Sequence, residues 1–303
     1  MGKIVGIGAC VMDTLLSVSE YPKEDTKTRA ISSTLAGGGP VATGLVAAAK
    51  LGEDTAFIGV LSDDNAGQFL INDFKKYNVD TEFISVKSGY RSFTSVIWLS
   101  QSTASRTCVF DKGDLPKLIL SDEQKAAIKA SQLLMVDGNE LDAAVDAARY
   151  ARANGVKVLY DAGGLYEGVE RLLKCSDILI PSKEFALGHT KCMTVEGAAA
   201  RLYEMYNPEV VVITCGKDGG ILFDGKKHIS YPIYPASVVD SNGAGDVFHG
   251  AFAAGVAKGF NYEKCCHFAS AVSAIKCTGI GARQSVPTYS EVQKYLKENG
   301  YEL

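Results

Sequence analysis

The 303 residues hold one tryptophan, four histidines and eight cysteines, and none of these is spaced for metal chemistry. The cysteines, Cys10, Cys108, Cys175, Cys192, Cys215, Cys265, Cys266 and Cys277, never form Cys-x-x-Cys, which removes the zinc and redox motifs. His189, His228, His249 and His267 lie too far apart in sequence to make a ligand pair. No segment reaches the roughly 18 consecutive apolar residues of a membrane span. Lysine and arginine never cluster into a basic arm, and the net charge is -4, so a nucleic-acid partner is not expected. The start, Met1-Gly2-Lys3-Ile4-Val5, lacks the apolar stretch of a signal peptide. Free thiols in a reducing cytoplasm are therefore expected, with no membrane association.

What is present is the mixture of an ordinary globular chain, 47% hydrophobic and 22% charged. Ile4 to Cys10 is an apolar run that predicts a buried strand. Asp13 to Thr34 and Thr94 to Phe110 alternate apolar and polar residues, the pattern of half-exposed strands. Val41 to Gly52 is a small-residue helix ended by glycine. Ala56–Val60 predicts a strand and Asn65 to Tyr77 a helix. After Pro116 the chain alternates between elements. Strands are predicted at Leu133–Val136, Val156–Tyr160, Ile178–Ile180 and Val210–Thr214. Helices are predicted at Leu141–Ala153, Val169–Lys174, Val195–Tyr206, Ala244–Lys258, Tyr262–Lys276 and Ser290–Glu298. Unalternated apolar strands separated by helices imply a parallel sheet covered on both faces. The two alternating regions do not fit that sheet. They predict a small β-sheet projecting from one domain of residues 1–303, a lid built from about 15–34 and 94–110.

One stretch stands apart. Asp240-Ser241-Asn242-Gly243-Ala244-Gly245-Asp246 follows a strand-like Ala236–Val239 and precedes the helical Val247 to Ala253. Small residues there let backbone approach a ligand, and the first amides of a helix have no intrahelical partner. Such amides, with the positive end of the helix, suit a phosphoryl group. An aspartate at that place can accept the proton of an attacking hydroxyl. A short acidic helix start is also common for plain packing reasons. Gly6-x-Gly8-x-x-Val11 is too incomplete for a dinucleotide fingerprint.

The stretch Asp240 through Ala253 resembles the C-terminal signature of the PfkB/ribokinase family of carbohydrate kinases. The resemblance continues through Val11-Met12-Asp13, through Gly38-Gly39 with Thr43 and Leu51-Gly52, and through Asp63-Asp64-Asn65-Ala66-Gly67. It continues further through Thr214-x-Gly216-x-x-Gly219 and Thr278 to Pro287. It implies a ribokinase-like three-layer α/β/α core with a mostly parallel central sheet and a β-sheet lid. The implied activity is transfer of the γ-phosphoryl group of ATP to a sugar hydroxyl, the primary alcohol of a ketose or related sugar. Asp246 would be the catalytic base, with Gly243, Ala244, Gly245 and Asp246 lending amides to the anion hole. Asp13, Gly38, Gly39, Thr43, Arg106 and Asn139 would meet the sugar. Thr214, Gly216, Gly219 and Ser182 would border the nucleotide.

The resemblance also implies two ions. Asp240, Asn242, Lys276, Gly279, Gly281 and Ser285 align with positions that ligate a monovalent cation, potassium. Magnesium would come with ATP, and Glu184 would reach it through water, although Ser182 stands where the family has asparagine and Glu184 falls one residue early. The motifs look most like the sulfofructose-kinase branch, where Lys27 would hold an anion, but Asp111 and Asn139 stand where further donors to a sulfonate would be wanted. A homodimer joined through the lids, with Trp98 near substrate or interface, is expected. Two alternatives stay open: a nucleoside kinase on the same fold, and a non-catalytic sugar-binding regulatory protein.

Overall fold

The computed structural model describes residues 4–103 and 105–303; Ala104, within the second expected lid segment, lies outside them. The larger sheet runs edge to edge as His228–Tyr231, Gly220–Phe223, Val210–Thr214, Ile178–Pro181, Lys157–Ala162, Leu133–Asp137, Ile4–Ile7, Thr55–Ser62 and Val79–Asp80. Ile84–Lys87 also pairs with Thr55–Ser62. Every pairing is parallel except the two that add the hairpin 220–231 at one edge.

The unbroken apolar strands are explained by the two faces. Leu133 and Met135 point into one core cluster, with helices 40–50, 244–257 and 262–276. Leu134 and Val136 point into the other, with helices 141–153 and 195–206. A period-2 strand buried on both sides has no position to leave polar.

The smaller sheet is ordered Ser32–Gly38, Val11–Val18, Thr94–Ser100, Ser105–Asp111. Its central pair, Val11–Val18 with Thr94–Ser100, is parallel and the outer pairs are antiparallel. The expected lid begins earlier than 15 and is interrupted in its first half. Thr26 to Ile31, whose alternation predicted strand, lies in the connection between strands. Ala236–Val239 is not a strand either; Val239 N donates to Cys277 O at 2.8 Å rather than to a neighbouring strand. The helix expected at 169–174 is a single turn, Glu170–Leu173. Helices Asp122–Lys129 and Lys183–Thr190 were not expected; both start on a serine that caps the first turn, Ser121 and Ser182. Among the described residues no helix is long and apolar enough to cross a membrane.

Candidate functional site

The site lies at the carboxyl ends of the parallel strands, where open α/β sheets bind ligands. Asp137 organises it. Its buried carboxylate ends strand Leu133–Asp137 and accepts from Ala9 N at 3.0 Å, Asn139 N at 2.9 Å and Val41 N at 3.4 Å. Helix Pro40–Lys50 has no side-chain cap of its own, so this carboxylate from another element serves its first turn. Burial pushes the Asp137 carboxyl up, and these amides oppose the shift. Gly39, at φ 96°, passes so close to the Ala9 carbonyl that no side chain fits there. The triple glycine thus lays bare backbone along the crevice.

Asp13 faces the same crevice from the smaller sheet. Its Oδ1 accepts from Ser95 Oγ at 2.5 Å, and its other oxygen lies against Gly38. Burial raises its pKa, Ser95 and Arg283 lower it, and Asp246 raises it again. Asp246 is therefore near enough for its charge to reach Asp13. Two carboxylates this near suit a polyhydroxyl ligand, which supplies donors to both.

The other expected sugar contacts divide. Gly38 lies against the Asp13 carboxylate and Gly39 against the Ala9 carbonyl. Asn139 lines a cavity of about 180 Å³ with Gly8, Cys10, Phe93 and Lys112, although its Nδ2 also donates to Asp137 at 3.1 Å. Thr43 is fully buried, and its hydroxyl accepts from Arg283 Nε at 3.4 Å. Arg106, on the edge strand of the smaller sheet, is exposed yet near enough to lower the pKa of Asp246. Lys27 is exposed in the connection between strands, because the strand expected to carry it does not form.

Asp246 sits in the first turn of helix Ala244–Ala257, as the motif predicted. Gly243, the residue before the helix, is at φ 72°, and no side chain caps the turn. The amides of Gly243, Gly245 and Asp246 have no backbone partner among the described residues, whereas Ala244 N donates to Ser241 O at 3.2 Å. The expected anion hole therefore loses the Ala244 amide to its own turn. Burial raises the Asp246 pKa, while His249, Arg106, Arg283 and Lys276 in that order hold it down. Gly44 and Gly250 let helices 40–50 and 244–257 touch backbone to backbone, which brings the glycine turn and the base together.

Behind the turn lies a pair that the sequence reading did not single out. His249 presents Nδ1 to Gly245 O at 2.6 Å and Nε2 to Ile180 O at 3.0 Å. Asp161 Oδ2 stands 3.2 Å from Nδ1. Burial pushes the Asp161 carboxyl up to about 7, against the pull of His249. The ring pins the first turn of the helix to the end of a central strand.

On the far side of the helix start is a cavity of about 820 Å³, lined by Thr214, Gly216, Gly219, Tyr231, Ser241 and Gly245. Three of the four expected nucleotide residues are thus together, and Gly245 joins this cavity to the turn that carries Asp246. Ser182 does not line it. Its Oγ accepts from Phe185 N at 3.1 Å as a helix cap. Glu184 is exposed in that same helix turn. No cluster of three acidic, histidine or cysteine side chains is set to hold a metal among the described residues. Magnesium would then be held chiefly by nucleotide phosphates.

The expected potassium ligands are assembled but do not fit the ion. Asp240 Oδ1 accepts from Asn242 N at 2.8 Å and Oδ2 from Gly281 N at 2.9 Å. Ser285 Oγ donates to Ile280 O at 2.8 Å, and its closeness to Gly279 explains that glycine. Lys276 is the correction. Its carbonyl accepts from Gly279 N at 3.2 Å, and its ammonium, fully buried, donates to Asp240 O at 2.8 Å and Asn242 O at 2.5 Å. The carbonyls that would face an ion are already taken by a positive charge.

Arg283 was also missed. It is 2% exposed and donates to Asp73 Oδ2 at 2.6 Å, Gly38 O at 2.8 Å and Thr43 Oγ1 at 3.4 Å. Arginine is rarely buried, and nothing in Gly281-Ala282-Arg283-Gln284 announces a partner at Asp73.

With this geometry in view, the comparisons with known proteins agree along the chain. A family model described as pfkB family carbohydrate kinase matches residues 1–289. The ribokinase of Bacillus subtilis is 27% identical over 98% of this chain and 100% of its own. A 5-dehydro-2-deoxygluconokinase of Clostridium perfringens is 29% identical over 97% of this chain and 93% of its own. The structure of Arabidopsis thaliana ribokinase complexed with ribose and ATP superposes with a TM-score of 0.87 at 27% identity, covering 98% of this chain and 99% of that one.

Proposed function

The chain belongs to the pfkB family of carbohydrate kinases, and we propose that this ATP-dependent sugar kinase phosphorylates the primary alcohol of a ketose or related sugar. The observation that carries the reading is the placement of Asp246. It stands at an uncapped helix start, directly after Ala244 and Gly245, which line the 820 Å³ cavity, and near enough to Asp13 to raise the pKa of that carboxyl. Asp13 and the Gly38-Gly39 backbone orient the sugar. Asp246 takes the proton of the attacking hydroxyl as its oxygen bonds to the γ-phosphorus and the bond to ADP breaks. The Gly243, Gly245 and Asp246 amides meet the charge on the phosphoryl oxygens. Magnesium enters with ATP, and Glu184 is the residue we expect to contact it through water.

The smaller sheet acts as the lid of a single domain. Leu35, Val96 and Val109, all exposed, flank Thr14 in one row across the face opposite Asp13, which supports a homodimer through the lids. Trp98 shares that outer face, so its place is the interface rather than the sugar. Eight free cysteines and a nucleotide substrate fit a cytoplasmic setting. The test is ATP turnover across ketoses, aldoses, sugar acids and nucleosides. Turnover with a sugar supports the reading, and turnover with nucleosides alone overturns it.

A further inference from the structure

Lys276 ends helix Tyr262–Lys276 and is 0% exposed. A lone ammonium at such depth is costly, and burial pulls its pKa down. It is tolerated because oxygens surround it. The Asp240 and Asn242 carbonyls accept hydrogen bonds from two of its three N–H groups, and the Asp240 and Asp246 carboxylates favour its charge. Those carbonyls belong to the residues just before Gly243. Drawing them inward turns the following amides toward the crevice. The neighbouring loop is tied to the same carboxylate through Gly281 N, and Ser273 Oγ on the lysine's own helix donates to Ala244 O at 3.0 Å. Helix, motif and loop therefore converge on one fixed positive charge behind the phosphoryl site.

We propose that the Lys276 ammonium takes the place of a monovalent activating ion, so that this kinase needs no potassium. The proposal rests on the sugar-kinase reading. An ammonium and a potassium ion carry the same charge and both are satisfied by carbonyl oxygens. The difference is attachment: an ion leaves when salt is low, whereas a side chain is always present. Lys276 is then a positioning residue, acting on the anion hole through the backbone of 240–243.

The experiment compares wild type, Lys276→Ala and the length-preserving Lys276→Met when potassium replaces tetramethylammonium at constant ionic strength. Turnover and melting temperature are both read. Wild type should change by less than about twofold in rate and show no potassium-specific change in melting. Lys276→Ala, which opens room for an ion, should lose about tenfold or more in tetramethylammonium and recover most of it in potassium. Its melting temperature should rise with potassium alone. Lys276→Met fills the space without charge and should stay slow in both salts. Potassium activation of wild type by severalfold, or a Lys276→Ala variant whose rate and melting both ignore potassium, overturns the proposal. If Lys276→Ala does not fold, the wild-type salt response and Lys276→Met decide. If no sugar supports ATP turnover by wild type, the kinase reading fails, and the melting comparison still decides the role of the lysine.

Discussion

Arg283 Nη2 donates to the carbonyl oxygen of Gly38 at 2.8 Å, although the two residues stand 245 positions apart. The same guanidinium pairs with Asp73 and lies 5.3 Å over the centre of the Phe74 ring. It therefore holds the sugar-side turn, helix Asn65–Lys76 and the closing loop in one arrangement. Arg283→Ala leaves the Asp73 carboxylate without its cation and should cost about 3–5 kcal/mol of stability. Denaturant midpoints measure this. The KM for sugar should rise while the KM for ATP stays near wild type. Arg283→Lys should restore little, because one ammonium cannot span three acceptors in different directions. A variant with wild-type midpoint and sugar KM would show that Arg283 does not position the turn.

Asp246→Asn keeps shape and removes the proton acceptor, so kcat should fall about 10²–10⁴-fold with the fold intact. The base acts only when ionised, and its pKa is raised by burial. Rate should therefore fall as pH drops through that raised value. Arg106 holds the value down, so Arg106→Gln should move the acid limb of kcat/KM to higher pH. Because Arg106 is exposed on an edge strand, the folding midpoint should not change. An acid limb that stays still, or moves to lower pH, would mean that Arg106 does not reach the base.

The lid makes a prediction about assembly. Light scattering or sedimentation at micromolar protein should show a dimer. Val96→Glu combined with Val109→Glu places like charges across one strand pair in the exposed row, and should give monomers that remain folded. A wild-type monomer at those concentrations would leave the sheet as a flap over its own sugar site.

How far the sequence could be read depended on whether the signal was local. The parallel core was legible because buried strands such as Leu133–Asp137 and Val210–Thr214 are apolar at every position before their last residue, and helices flank them. The motif was legible because a helix start needs only neighbours: Gly243, Gly245 and Asp246 act within one turn. The lid was half legible. Alternation named its sheet, but Thr26 to Ile31 carries the same alternation in a connection, since period 2 on an exposed segment has no core to enforce it.

By itself, the sequence determined the layers, the helix that carries Asp246, and the residues able to face a sugar and a nucleotide. Tertiary structure alone decided how charge is balanced among them. Arg283 meets Asp73 and Gly38, His249 meets Asp161, and Lys276 meets the carbonyls of 240 and 242 only after distant segments pack. A side chain's type states which bonds it can make. Burial decides which it must make, because a buried charge without a partner is costly, and burial is a property of the whole fold. The potassium expectation turns on the same ground. In sequence Lys276 offers one more loop carbonyl; in the fold its long side chain turns inward among the expected ligands.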